Sequence, residues 1–344
     1  MSNLNKLDPS NFRQFILDTP TQFDVGMNLA KNIKVEGNFK SLTVTGMGGS
    51  ALPVNLLQTY CNSLVETNPD YKPLNIFINR SYALPPQAKS KDSLNFFSSY
   101  SGTTEEVISS LEEAKKLNLP FIGFSSAGDI ERLSKEYGMP HIKLPIPYPN
   151  YQPRMGTGYF FGSMYQVLVN HGLAPDQTRE IRESAATFGN LMGSYEEKGK
   201  ELAKSLKGRT PVIYTSQKYN PSAMIWKIKM NENAKTPAFW NYFSELNHNE
   251  MVGFTNPQAK FFLIMLRDKE DDPRNLKRYD VTANLLREKG IESVILNLDG
   301  DNTFSKMFLT INLADWTSYY LALEYGQDPT PVEMVEKLKK ILAS

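Results

Sequence analysis

Ser98-Ser99-Tyr100-Ser101-Gly102-Thr103-Thr104-Glu105-Glu106 joins two segments of different periodicity. Before it, Leu94-Asn95-Phe96-Phe97 is short and apolar enough to form a buried strand. After it, Val107, Ile108, Leu111, Ala114 and Leu117 recur at helical spacing. A strand therefore ends and a helix begins within this stretch. Thr103 followed by Glu106 reads as a capping box that fixes the helix start. The hydroxyls of Ser99, Ser101, Thr103 and Thr104, a glycine and a helix N-terminus gather donors around the positive end of a helix dipole. That is a setting for phosphate or carboxylate. The same residues also suit a capped turn that binds nothing.

Working outward, Ser41-Leu42-Thr43-Val44-Thr45 reads as a strand, Gly46-Met47-Gly48-Gly49-Ser50 as a tight turn, and Ala51 to Tyr60 as a helix. Pro53 is tolerated there because it falls in the first turn. Further strands are predicted at Leu74–Ile78, Phe121–Phe124 and His141–Leu144, with a short helix from Asp129 to Tyr137. Residues 1–35 read as a helical preamble. The proline-rich loop Pro145–Pro153 delivers Arg154 and then a helix from Gly156 to His171. A long polar helical region, Pro175 to Lys207, leads to a second alternating series. Its strands are Pro211–Thr215, Phe261–Leu266 and Ser293–Leu298; its helices are Ser222–Met230, Leu276–Lys289, Phe304–Tyr325 and Val332–Leu342. Strands alternating with helices argue an α/β chain of two doubly wound parallel sheets. The expected domains are 1–172 and 173–344. The second half repeats the architecture without the chemistry: Ser216-Gln217-Lys218-Tyr219-Asn220 follows its first strand and holds no glycine. One anion loop in two similar halves predicts one site per chain.

With 344 residues the chain has room for two cores. Lys+Arg 38 against Asp+Glu 37 leaves a net charge of +1, which does not fit a nucleic-acid surface. The longest apolar run, Phe261–Leu266, falls far short of the ~20 residues of a membrane span. Met1 to Arg13 lacks the basic-then-apolar order of a signal peptide. A single cysteine, Cys61, excludes an internal disulfide and a cysteine metal cluster. These features predict a soluble, cytoplasmic protein.

Gly46-x-Gly48-x-x-Ala51 matches a dinucleotide fingerprint formally, but the expected ribose-binding acid is replaced by Asn79-Arg80. Arg80 leaves an NADP reading open. The other readings are a plain glycine turn, or a second wall of the anion site built from Gly48, Gly49 and Ser50. His141 and His171 suit structural or surface roles. His248, in Leu246-Asn247-His248-Asn249-Glu250, has neighbours able to fix its tautomer, and those neighbours equally suit a solvated turn. A zinc site would need more ligands. Glu232 ends a helix, where the dipole disfavours a carboxylate, so a functional reason for it is sought. Arg154 suits an anion clamp.

Gly46-Met47-Gly48-Gly49-Ser50, Ser99-Tyr100-Ser101-Gly102-Thr103-Thr104, Pro153-Arg154, Asn231-Glu232-Asn233, Glu245-Leu246-Asn247-His248-Asn249-Glu250 and Asp328-Pro329-Thr330-Pro331-Val332…Leu338-Lys339 occur together and in order. From about residue 40 onward, the chain resembles the bifunctional phosphoglucose/phosphomannose isomerases. They are a branch of the phosphoglucose isomerase superfamily with two sugar-isomerase (SIS) domains. The resemblance implies an aldose–ketose isomerase of glycolysis and gluconeogenesis that works through a cis-enediol intermediate. By similarity, Gly49, Ser50, Ser99, Ser101 and Thr104 hold the sugar phosphate. Glu232 moves the proton between C2 and C1, and Arg154 stabilises the enediolate. His248 and Lys339 assist ring opening. No metal or cofactor is implied; the partners are sugar phosphates and a second copy of the chain. The aromatic stretch Phe239–Phe243 suits packing on its own domain or an interface; in the superfamily the histidine crosses between subunits, and that resemblance implies the interface of a homodimer with shared sites. Met155-Gly156-Thr157-Gly158 departs from the small apolar residues expected after Arg154, and Thr103 stands where Asn is often found. Thr330 is the candidate for sugar discrimination. The rivals are a non-catalytic phosphosugar sensor and a ketol-isomerase for another sugar phosphate.

Overall fold

The computed structural model describes residues 4–342, so the outermost residues of the predicted preamble and of the second domain lie outside the described residues. In chain order the elements are α1 (Leu4–Leu7), α2 (Phe12–Leu17), α3 (Thr19–Ala30), β1 (Ser41–Gly46), α4 (Leu52–Ser63), β2 (Asn75–Asn79), β3 (Ser93–Ser98), α5 (Glu105–Lys116), β4 (Phe121–Ser125), α6 (Gly128–Glu136), β5 (His141–Lys143) and α7 (Thr157–Asn170). They continue with α8 (Thr178–Leu206), β6 (Thr210–Ser216), α9 (Asn220–Glu232), β7 (Phe239–Phe243), α10 (Glu250–Gly253), β8 (Phe261–Arg267), α11 (Pro273–Arg287), β9 (Glu292–Asn297), α12 (Thr303–Glu324) and α13 (Glu333–Leu342).

The chain divides into two compact units. One is Asp18–Gly189; the other joins the residues through Leu17 to those from Asn190 onward. The sequence-based halves meet in the loop before α8, whereas the compact units meet inside that helix. The return of the N-terminus has a physical basis within its unit. Phe12 stacks on Tyr319 with ring centroids 6.3 Å apart. Arg13 Nη2 lies 2.6 Å from Glu196 Oε2, and the Tyr320 hydroxyl donates to the same carboxylate at 2.6 Å.

In the Asp18–Gly189 unit the strands form one parallel sheet in the order β2-β1-β3-β4-β5. β3 and β4 are buried along their whole length, as expected for a parallel sheet covered on both faces. The order reverses between β1 and β3, and their paired ends, Gly46 and Ser98, open a crevice there. Pro53 sits in the first turn of α4, where its missing N–H costs nothing.

In the other unit the parallel order is β7-β6-β8-β9. Val212, Tyr214, Leu263, Met265 and Tyr279 form the centre of its core. The aromatic stretch Phe239–Phe243, which the sequence pattern does not assign to a strand, is the edge strand β7. Its register on Val212–Ser216 leaves Phe243 buried against Tyr279 and Phe239 55% exposed. The crevice between β6 and β8 carries carboxylates where the first sheet carries hydroxyls. Asp268 accepts from Lys306 Nζ at 2.9 Å and from the Tyr219 hydroxyl at 2.7 Å, and Lys306 also donates to Glu270 at 2.6 Å. Burial raises the Asp268 carboxyl, but these two donors outweigh it and hold the group below the usual carboxylate range. No helix among the described residues is long and apolar enough to cross a membrane.

Candidate active site

The hydroxyl loop sits at the carboxyl end of β3, as the sequence predicts, but its helix starts one residue later than the capping box requires. Thr104, not Thr103, is the N-cap, and neither its hydroxyl nor another side chain caps the helix. The reason is local: Thr104 Oγ1 lies 2.7 Å from Ser99 Oγ and is drawn into the loop. Ser99 Oγ also accepts from the Gly102 amide at 3.2 Å, and Ser101 Oγ lies 3.0 Å from Thr103 Oγ1. The first turn of α5 is thus left without a side-chain cap beside four clustered hydroxyls. This is the arrangement a phosphate meets at a helix N-terminus.

Gly102 holds the loop in shape. Its φ is +73°, and a Cβ there would stand 1.7 Å from the Ala127 carbonyl oxygen, so the loop lies flush on the turn after β4. Ser50 closes the other wall. It is buried, its hydroxyl accepts from the Tyr100 amide at 2.9 Å, and its carbonyl accepts from Ser98 Oγ at 2.8 Å. The glycine turn has a packing reason too: a Cβ on Gly49 would fall 2.8 Å from the Arg154 nitrogen. The Pro153–Arg154 backbone therefore packs directly on Gly49, whereas Gly48, the glycine at which the dinucleotide reading places a pyrophosphate, has nothing within 4 Å of a Cβ position. Arg80, the residue that kept this reading open, is bonded to Asn55 instead, with 3.0 Å from Nη2 to Oδ1. Arg154 is 1% exposed, and its Nη1 donates to Gln152 Oε1 at 3.1 Å. The Asp18–Gly189 unit thus brings Gly49, Ser50, Ser99, Ser101, Thr104 and Arg154 to one crevice.

The remaining candidates belong to the other unit. Glu232 is the last residue of α9 and is half-buried. His248 ends a short 3-10 turn, Glu245–His248, and is exposed. Leu246 anchors that turn in the core, and Asn247 donates to Thr282 Oγ1 at 3.0 Å while accepting from Arg278 at 3.1 Å. Asn249 donates to Glu245, and Glu250 accepts from Tyr214 and Asn241. The polar neighbours of His248 are therefore spent on holding the turn rather than on fixing the imidazole tautomer. Lys339 is exposed on α13 and lies 2.9 Å from Glu336. Thr330 is 3% exposed, its amide donating to Asp328 Oδ1 at 2.8 Å.

The other histidines are structural. His171 Nε2 lies 3.1 Å from the Val35 amide nitrogen and Nδ1 lies 2.7 Å from the Val167 carbonyl. His141 Nε2 lies 2.8 Å from Ser125 Oγ, and burial lowers its pKa. Two features escape the sequence reading. Lys235 folds its ammonium back on the end of α9, and Lys229 forms a buried pair with Asp315 at 2.6 Å. Lys235 belongs to the Asn231–Lys235 run, but only the fold brings its acceptors near.

Two doubly wound parallel sheets in one chain, with a hydroxyl-lined crevice at the switch point of the first, define a two-domain SIS-type protein. The Bacterial phospho-glucose isomerase C-terminal SIS domain model matches residues 195–342. A bifunctional phosphoglucose/phosphomannose isomerase of Caldicellulosiruptor bescii is 35% identical over 334 residues, covering 93% of this chain and 94% of the relative. One from Aquifex aeolicus is 31% identical, covering 88% and 91%. Among solved structures, the C-terminal domain of glucosamine-fructose-6-phosphate aminotransferase from Francisella tularensis superposes with a TM-score of 0.68 at 14% identity, covering 93% of this chain and 97% of that one. The chain belongs to the bifunctional phosphoglucose/phosphomannose isomerase family and is an isomerase.

Proposed function

We propose that the chain interconverts glucose 6-phosphate and mannose 6-phosphate with fructose 6-phosphate through a cis-enediol. The observation that carries this reading is the cluster of Ser99, Ser101 and Thr104 at the uncapped start of α5, in a chain of this family. In the proposed reaction the phosphate is held by these hydroxyls with Gly49 and Ser50, so the loop reads the phosphate and leaves the sugar end free to react. Glu232 takes the proton from C2 of the aldose and returns it to C1, while the second proton passes from the C2 hydroxyl oxygen to O1, leaving C2 as the ketone and C1 as the alcohol. Arg154, a fixed cation, stabilises the enediolate charge. His248 and Lys339 are assigned to ring opening and Thr330 to sugar discrimination. The functional halves are taken as 1–172 and 173–344. The reading also places the enzyme in the cytoplasm, at the junction of glycolysis and gluconeogenesis.

Incubating purified protein with fructose 6-phosphate and identifying every aldose formed tests the reaction. Both glucose 6-phosphate and mannose 6-phosphate are expected. Tight binding without turnover would identify a sensor instead, and turnover confined to other sugar phosphates would identify a different ketol-isomerase.

The active unit is proposed to be a homodimer with shared sites. Apolar surface left in water supports this: Met334 is 87% and Leu338 55% exposed on α13. A hollow of about 520 Å³ is lined by Phe239, Trp240, Phe254 and Phe261. Subunit exchange between inactive Glu232→Gln and His248→Ala proteins provides the check. If each site takes Glu232 from one chain and His248 from the other, a mixed dimer holds one intact site. Half the dimers being mixed, activity should recover to about one quarter of wild type. No recovery after proven exchange would place both residues in one chain.

A further inference from the structure

Among the described residues four non-glycine positions have positive φ: Asn11, Asn118, Asn150 and Lys235. Asparagine tolerates the left-handed region because its short amide bonds locally; lysine has no such help. Lys235, at φ +56°, lies two residues beyond Asn233, the C-cap of α9. The chain closes a wider turn there than a glycine stop does, for the Thr236 amide reaches back six residues to the Met230 carbonyl at 3.1 Å. What distinguishes this turn is the side chain. Lys235 Nζ donates to the carbonyl of Glu232 at 2.6 Å, to that of Pro331 at 2.6 Å and to that of Pro329 at 3.3 Å.

An ammonium has three donors and no acceptor, and here each donor has a carbonyl. The first belongs to Glu232, at the negative end of the α9 dipole. The other two flank the buried Thr330, in the turn that leads within two residues to α13 and Lys339. One side chain thus joins the end of α9 to the Pro329–Pro331 segment, two pieces of chain nearly a hundred residues apart in sequence.

We propose that Lys235 is a positioning residue for the isomerisation: its ammonium ties the carbonyl of Glu232 to the carbonyls on either side of Thr330, and so fixes the placement of the Glu232 carboxylate. The proposal rests on the reading of Glu232 as the base. Lys235 touches no substrate in this scheme. It acts only through where it holds the helix end, and misplacement of about 1 Å at a reacting group is enough to cost on the order of 100-fold in rate.

The test uses Lys235→Gly, Lys235→Asn and Lys235→Arg in the full chain. Glycine and asparagine accept the backbone conformation, so they remove the ammonium without straining the turn. For both, kcat with fructose 6-phosphate should fall about 10- to 100-fold with KM changed less than about twofold, while Lys235→Arg recovers most of the rate. In a Glu232→Gln background the same substitutions should leave the residual rate within about twofold, because a positioning residue has nothing left to position. Wild-type kcat in both Lys235→Gly and Lys235→Asn would overturn the proposal. So would losses that multiply with that of Glu232→Gln, which would mean a general structural effect. Failure of the base reading shows separately, as a Glu232→Gln protein that remains active.

Discussion

Replacing Glu232 by glutamine should lower kcat by about 100- to 10,000-fold, the usual contribution of a general base, with little change in affinity for fructose 6-phosphate. Glutamine preserves the shape and the hydrogen-bonding reach of the side chain but cannot accept a proton from carbon. The phosphate is proposed to be held elsewhere, by Ser50 and the hydroxyl loop, and that loop is built from its own contacts: Ser99 with Thr104 at 2.7 Å, and the Tyr100 amide on Ser50 at 2.9 Å. Binding and proton transfer therefore separate in this variant. Fold should survive as well. Glu232 is half-buried at the end of α9, glutamine matches it in size, and the buried contacts with α12 from Lys229 and Asn233 are untouched by the exchange. Calorimetry with fructose 6-phosphate, a thermal melt and a turnover assay on one preparation make the comparison. A variant that keeps more than about a tenth of wild-type kcat would remove Glu232 from the base role.

The sequence was most legible where one local pattern determined the outcome. The apolar run Leu94–Phe97 before a helical repeat placed β3 and α5, and the shared geometry of parallel sheets then placed Ser50 beside Tyr100. It was less legible where two local preferences competed. Thr103 has the capping-box spacing to Glu106, yet Thr104 became the N-cap because the Ser99 hydroxyl engages it. Phe239–Phe243 lacks clean alternation because it is an edge strand with both faces partly covered, so its aromatic content read as surface. Least legible were contacts closed by distant chain. Nothing near Arg13 announces Glu196, and nothing near Lys235 announces Pro331. The candidate residues of the first unit could be recognised as a group because a single strand-loop-helix unit presents most of them. Glu232, His248 and Lys339 lie on separate elements, and their residue types alone did not distinguish them from ordinary helix-end and surface groups.

The Lys229–Asp315 pair is where a single substitution should do the most damage to stability. The two groups are 2.6 Å apart, with side chains 1% and 3% exposed. Lys229 on α9 meets Asp315 on α12 between two other contacts of the same helix pair: Trp226 Nε1 donates to Thr310 at 3.1 Å, and Asn233, just past α9, donates to Ser318 at 2.9 Å. Taking two charges out of water costs several kcal/mol each, which their mutual attraction in a dry interior largely offsets. Lys229→Met leaves the Asp315 carboxylate in that interior without its cation, so the expected loss is about 3–5 kcal/mol. Asp315→Leu strands the ammonium and should cost a similar amount. The double variant Lys229→Met/Asp315→Leu removes both charges and fills the space with apolar groups of comparable size, so its stability should return close to wild type or exceed it. Urea unfolding of the four proteins reads the effect directly. The decisive quantity is the coupling: a double variant far more stable than either single one establishes that the charges matter to each other more than to the fold. A double variant whose loss equals the sum of the single losses would show that each side chain contributes through its own packing. The same proteins report on the site. Since Lys229 and Glu232 share the last turn of α9, the double variant should regain turnover together with stability if the pair serves only to seat that helix on α12.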